Sequence, residues 1–174
     1  GEIPGFDLED RSFYEALGFA VAQWQDVEKQ LCILYLWTSA TDKFQLASSV
    51  FYASSDFLHK LQITDASVRN ATVLSTEFTS SWENLRLALL REWEAFNSLV
   101  HFTMIFEKQK RSSKDTLKLK SNYSKLSTLG RRKAMAPEIV LDRSGLDKIA
   151  NGFIEVRVAL LGLSQSIQRP IDPA

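Results

Sequence analysis

The sequence is poor in the residues that build covalent and metal frameworks. Its 174 residues include one cysteine, Cys32, and two histidines, His59 and His101. One cysteine cannot form an internal disulfide, and this set can build neither a cysteine-based zinc site nor a multi-histidine metal centre. We therefore predict no metal site and no cofactor. A chain of this length buries about 70% of the surface that its unfolded form exposes, so a hydrophobic core alone can stabilise it.

Helix-breaking residues and long apolar runs are also scarce. There are seven glycines and four prolines, and three of the prolines lie near the ends of the sequence. Long stretches without these residues favour helices. The longest apolar run, residues 31–37, is much shorter than the ~20 residues that span a bilayer. The first residues contain no basic segment typical of a signal peptide, so we expect a cytoplasmic chain with no membrane contact.

Charge is balanced in total but not along the chain. Lys and Arg together number 21, as do Asp and Glu, which excludes a surface that binds polyanions everywhere. Residues 101–141 nevertheless carry a net charge of +7, and residues 1–100 carry −7. Basic side chains neutralise phosphates, so the candidate nucleic-acid ligands are Lys108, Lys110, Arg111, Lys118, Lys120, Arg131, Arg132 and Lys133. Alternatively, this segment is a solvated loop, or it contacts the acidic surface of a second copy.

Apolar residues that recur in steps of three and four predict helices over most of the chain. The first helix is predicted from near Asp10 to about Thr38. A short second helix follows Asp42, and a third follows Ser54 and Ser55, whose hydroxyls are candidate N-caps.

The fourth and fifth predicted helices have candidate capping boxes. Ser80 with Glu83 has the spacing of such a box at the start of the fourth helix. Ser144 with Asp147 has the same spacing, and the fifth helix is predicted to end before Pro170.

The segment between the fourth and fifth helices has a different periodicity. Apolar residues alternate with polar ones after His101 and again at Leu117 and Leu119, which predicts a hairpin-like or irregular insert over about residues 103–140. The predicted fold class is therefore all-α, an up-and-down bundle of four to five helices with this insert before the last helix. We predict a single domain over residues 1–174, with its helical core at 10–168.

One face of the fourth helix carries the candidate catalytic residues. Glu94, Asn97 and His101 follow one another at helical spacing, so their side chains stack beside the apolar stripe. A helix C-terminus favours a protonated histidine. Arg91 precedes His101 by ten residues, which places it about 80° around the helix. The candidate cluster is thus His101, Asn97, Glu94 and Arg91, and the alternative interpretation is a polar rim next to the core.

The end of this helix resembles a known signature. Residues 96–102, FNSLVHF, resemble the RN-xxx-H signature of the HEPN superfamily, whose members are small, all-helical and often dimeric. The spacing of Trp24, Glu28 and Leu31 is similar to the first-helix pattern of one bacterial HEPN-like group. In active members, arginine and histidine at a dimer interface cleave RNA without a metal. Here Phe96 replaces the signature arginine.

The resemblance implies an interaction module, homodimeric and catalytically weak or inactive, in RNA-linked stress, defence or toxin–antitoxin settings. A metal-independent endoribonuclease that uses His101 is one alternative. A structural bundle that binds a partner protein and has no nucleic-acid role is another. Arg69 and Asn70 also form the signature dipeptide, but no histidine follows at the required distance. Cys32 lies among apolar residues, which favours a buried core position over a nucleophile.

Overall fold

The computed structural model describes residues 8–71, 74–100, 102–108, 115–121 and 140–167. These residues form five helices and a small sheet in the following order: α1 Leu8–Thr38, α2 Phe44–Tyr52, α3 Phe57–Asn70, α4 Thr76–Val100, β1 Phe102–Lys108, β2 Asp115–Ser121, β3 Val140–Leu141 and α5 Arg143–Gln165. The predicted all-helical bundle with a hairpin-like insert before its last helix is confirmed. The chain divides into two compact units, a first unit of residues 1–22 and 94–151 and a second unit of residues 23–93 and 152–174.

Contacts within the second unit define the direction of its first three helices. The Trp24 ring lies 4.7 Å from the Phe57 ring, and the hydroxyls of Thr38 and Ser67 are 2.8 Å apart. From the first contact to the second, the residue numbers of α1 and of α3 both increase, so the two helices run in the same direction. The short helix α2 returns between them, and its Phe51 ring packs 5.8 Å from the Tyr35 ring of α1.

The last two helices continue this alternation. Trp24 contacts Phe153 of α5 at 5.1 Å between ring centroids, and Asp26 pairs with Arg157 at 3.5 Å, so α1 and α5 are also parallel. Helix α4 runs in the opposite direction. Glu92, near its C-terminal end, lies against Gly152 of α5, whereas its N-terminal turns line a groove together with the last residues of α5. The second unit is therefore an up-and-down arrangement.

The apolar spacing recognised in the sequence faces the core of this unit. All of the following side chains are buried: Trp24, Val27, Leu31 and Leu34 of α1, Ala47 and Phe51 of α2, Phe57, Leu61 and Val68 of α3, Phe78, Trp82, Leu85 and Leu89 of α4, and Phe153, Val156 and Leu160 of α5. Transfer of these side chains from water supplies the main favourable term in folding.

The first unit contains the sheet. Strands β1 and β2 form an antiparallel hairpin in which Phe106 pairs with Leu117 and Met104 with Leu119. Strand β3 pairs antiparallel with β2, so that Leu141 lies opposite Leu119. The alternation in the sequence thus correctly predicted two extended segments. Buried residues of this unit come from three helices, at Phe13, Ala20, Leu99, Leu146 and Ala150.

The helix starts differ from the predicted caps. Helix α3 is capped by Asp56, whose carboxylate accepts a hydrogen bond from the Leu58 amide, and not by Ser54 or Ser55. Helix α4 begins five residues earlier than predicted, with the Ser75 hydroxyl accepting from the Phe78 amide at 3.1 Å.

Helix α5 is also capped by an aspartate. The Asp142 carboxylate accepts from the Gly145 amide at 2.9 Å, so Ser144 lies inside the first turn. A carboxylate at this position satisfies a free amide and complements the positive end of the helix dipole.

Glu83 has another role than the predicted capping box. Its carboxylate accepts hydrogen bonds from Arg86 at 2.6 Å and from Arg69 at 2.8 Å. Arg69 also donates to Asp65 at 2.9 Å, and the Trp82 indole donates to the other Asp65 oxygen at 2.8 Å. This network joins α3 to α4. Arg69, the first residue of the Arg69-Asn70 dipeptide, therefore has a structural role.

The pKa of Asp65 is set by this network. Burial opposes its ionisation, but the hydrogen bonds from Arg69 and Trp82 outweigh burial and lower the pKa below its usual value. Because the folded-state pKa lies below the unfolded value of about 3.9, the ionised group stabilises the fold above that value. The stabilisation is lost as pH falls through the folded-state pKa.

We expect Asp65→Asn to lower the free energy of unfolding at pH 7 and to narrow its difference from wild type below about pH 4. Urea unfolding at a series of pH values measures both quantities. Asp42→Asn, a change at an exposed aspartate, is the control and should leave the pH profile unchanged. A difference in the free energy of unfolding between wild type and Asp65→Asn that stays constant from pH 7 to pH 3 would contradict a lowered pKa of Asp65.

Candidate functional site

Three of the four candidate catalytic residues lie on α4. Because α4 continues to Val100, Glu94 and Asn97 are one turn apart on the same side of the helix. Glu94 is exposed and Asn97 is half-buried, and both belong to the first unit. Arg91 is exposed and belongs to the second unit. His101 lies outside the described residues, so its place in the predicted cluster stays a prediction.

Residue 96, where the resemblance places an arginine, carries a partly buried ring. Phe96 is half-buried on the last turns of α4, and Leu99 beyond it is buried. An apolar ring can neither donate a hydrogen bond nor carry the positive charge that stabilises a phosphate transition state. The residues described on this helix end therefore lack the electrostatic group that the HEPN signature supplies from this position.

Three of the candidate nucleic-acid ligands lie on the hairpin. Lys118 pairs with Ile105 and Lys120 with Thr103, whereas Lys108 pairs with Asp115 at the other end of the ladder. Lys118 and Lys120 are two residues apart along β2. Lys110, Arg111, Arg131, Arg132 and Lys133 lie outside the described residues.

A buried charge in the second unit was not anticipated from the sequence. Lys60 of α3 is only 5% exposed, and its ammonium lies 2.8 Å from the Glu28 carboxylate of α1. The same ammonium is 5.3 Å from the Tyr52 ring centroid and 5.7 Å from that of Phe51, both on α2. These distances suit cation–π attraction, so one charge contacts groups on two neighbouring helices.

The only cysteine of the sequence lies beside this charge. Cys32 is buried as predicted, and it shares side-chain hydrogen bonds with Ser48 and Tyr52. Burial raises the pKa of the Cys32 thiol, and the two hydrogen bonds and the charge of Lys60 only partly oppose this effect. A protonated, buried thiol is a poor nucleophile. Cys32 therefore acts as a core residue that helps to hold α2.

The outward surface of α2 carries apolar side chains. Leu46, Val50 and Tyr52 are each at least half exposed, and Phe44 is 42% exposed. No charged residue occurs between Phe44 and Tyr52. The sequence contains the signal for this surface, since apolar residues occur around the whole circumference of α2 and not on one stripe. Phe44 starts the helix and is covered less than Ala47 and Phe51, which are buried.

Metal-ligating residues do not cluster in the part of the chain that the structure describes, where no group of three or more histidine, cysteine, aspartate or glutamate side chains could hold an ion. Each helix within the same residues is too short or too polar to cross a membrane. No known protein family, curated protein or solved structure matches this chain.

The Lys60–Glu28 pair gives a direct stability test. Lys60→Met removes the cation and leaves the partly buried Glu28 carboxylate without its partner, which we expect to lower the free energy of unfolding by about 2–4 kcal/mol. Adding Glu28→Leu should recover part of this loss, because the unpaired charge is then gone. Denaturant unfolding of the two single variants and the double variant measures the coupling.

Lys29→Met, at an exposed lysine next to Glu28, is the matched control and should change stability little. Equal unfolding midpoints for Lys60→Met and wild type would contradict the proposed contribution of the pair.

Proposed function

We propose that this chain is a HEPN-like helical interaction module that forms a homodimer and has weak or no catalytic activity. The observation that carries the proposal is Phe96, a half-buried ring on α4 directly before half-buried Asn97. It occupies the position at which the resemblance places an arginine. A scaffold that has an aromatic ring in place of its phosphate-binding cation is suited to binding and poorly suited to RNA cleavage.

The order of elements also supports the proposal. Helix α4 ends at Val100, a hairpin follows, and α5 begins at Arg143. This is the order implied by the resemblance, in which the signature ends a helix and an insert precedes the closing amphipathic helix. In this proposal the partners are a second copy and an RNA or a protein of the cytoplasm, in a stress, defence or toxin–antitoxin setting.

Catalysis is tested on labelled single-stranded RNA in the presence of EDTA. We expect the wild-type chain to produce no cleavage above that of His101→Ala, because the stabilising cation is absent from position 96. Time courses resolved on denaturing gels, with both proteins prepared in the same way, give the comparison. Metal-independent cleavage that disappears in His101→Ala would contradict the proposal and support the endoribonuclease alternative.

RNA is favoured as the second partner by Lys118 and Lys120, which lie two residues apart on β2. We expect binding to single-stranded RNA that weakens with added salt, because bound lysines release counterions from the phosphates. Replacing Lys118 and Lys120 by glutamate should weaken binding about tenfold or more at low salt. Gel-shift titrations at several salt concentrations measure this effect.

A matched double variant, Lys29→Glu with Lys148→Glu, changes two exposed lysines on α1 and α5 and should affect binding less. If neither wild type nor the variants produce a gel shift at low salt, RNA binding is contradicted. The alternative of a helical bundle that binds only a partner protein is then supported.

A further inference from the structure

The interior of α5 contains a glycine that makes room for a carboxylate of α4. A Cβ atom at Gly152 would lie 2.5 Å from Oε2 and 2.9 Å from Cδ of Glu92, distances that real Cβ atoms do not show. Glycine weakens a helix relative to alanine, so the close approach of Glu92 gives a reason for its presence. At Gly162 of the same helix, no packing neighbour from the described residues lies within 4 Å of the corresponding position.

The Glu92 carboxylate loses water at this contact without gaining a cation. Glu92 is half-buried, and its carboxylate lies against the backbone of α5. Amides inside a helix already donate to the carbonyls of their own helix, so this backbone cannot replace the lost water. None of the ion pairs among the described residues includes Glu92. Ionisation is therefore costly at this place, and the neutral carboxyl is accommodated more easily.

Two charged groups act on the Glu92 carboxylate, one from each helix of the contact. Glu155 follows Gly152 by one turn on α5 and repels the carboxylate, whereas Arg91 precedes Glu92 on α4 and attracts it. Both of these side chains are exposed. Burial has the largest effect, and together with the repulsion from Glu155 it raises the pKa of Glu92 in spite of Arg91. Among the described residues, no charged group of α1, α2 or α3 contributes.

We propose that Glu92 and Gly152 form a proton-sensitive contact, through which α4 is held more firmly against α5 as the medium becomes acidic. The folded-state pKa of Glu92 lies above its unfolded value, so the ionised group opposes this packing above the folded-state pKa. The opposition is relieved as pH falls through that value. The effect is opposite in sign to that of Asp65, and it does not depend on the proposed function.

A carbon-13 NMR titration of the glutamate carboxyl groups in the full chain tests the first part of the proposal. The Glu92 signal is identified by its absence in Glu92→Gln. We expect its midpoint to lie above the usual value of about 4.3 for glutamate. Glu155→Gln should lower this midpoint part of the way, because it removes the repulsion and leaves burial in place.

Gly152→Ala tests the role of the glycine. The added methyl group displaces only the end of a flexible side chain, so we expect the variant to fold and the carboxylate to move toward water. The Glu92 midpoint should then return to about 4.3. Gly162→Ala makes the same change on the same helix where there is room for a Cβ atom, and it should leave the midpoint raised. Circular dichroism of both variants establishes that they are folded.

Thermal unfolding measures the consequence for the fold. At pH 7 we expect Glu92→Gln to melt a few degrees above wild type, and this difference should shrink toward about pH 4, where the wild-type carboxyl is neutral as well. In a Gly152→Ala background, Glu92→Gln should change the melting temperature little at either pH, since the carboxylate is then already in water.

Three results would overturn the proposal. One is a Glu92 midpoint at or below the usual glutamate value. Another is a raised midpoint that Gly152→Ala leaves unchanged or that Gly162→Ala lowers equally. The third is a melting temperature of Glu92→Gln that stays equal to that of wild type, or below it, at pH 7.

Discussion

The ammonium group of Lys60 is the interaction on which the arrangement of the second unit depends most. It is supplied by α3, paired with the Glu28 carboxylate of α1 at 2.8 Å, and placed near the rings of Phe51 and Tyr52 on α2. A cation with so little exposure is costly to bury unless each neighbour compensates it. The requirement for these partners fixes how three consecutive helices meet. It also determines which side of α2 is left facing solvent.

The helices were predictable because their signals are local. On α1, Trp24, Val27 and Leu31 recur at helical spacing, and all three are buried. The caps were harder, since serine and aspartate occur every few residues and the sequence does not show which of them meets a free amide; Asp142, not Ser144, does so at α5. The Lys60–Glu28 pair joins residues 32 positions apart, and no local pattern reveals such a partner.

The candidate sites illustrate the same difference between local and tertiary information. Helical spacing correctly placed Glu94 and Asn97 one turn apart on α4, and alternation correctly placed Lys118 on a strand. The exposed apolar side of α2 was missed, because apolar residues around a short helix suggest burial on every side. Whether such a helix is enclosed depends on how many neighbours surround it. In the second unit α2 is packed through Ala47 and Phe51, while Leu46 and Val50 stay in water.

The meeting of α1, α2 and α3 therefore depends on the surroundings of the Lys60 ammonium. Hydrogen–deuterium exchange of the backbone amides, compared between wild type and Lys60→Met, tests this dependence most directly because it reads each segment separately. We predict that amides of residues 44–52 exchange faster in Lys60→Met than in wild type, whereas those around Leu87 on α4 change less. Exchange in residues 44–52 that is the same in both proteins, or an acceleration of equal size in every helix, would contradict this dependence.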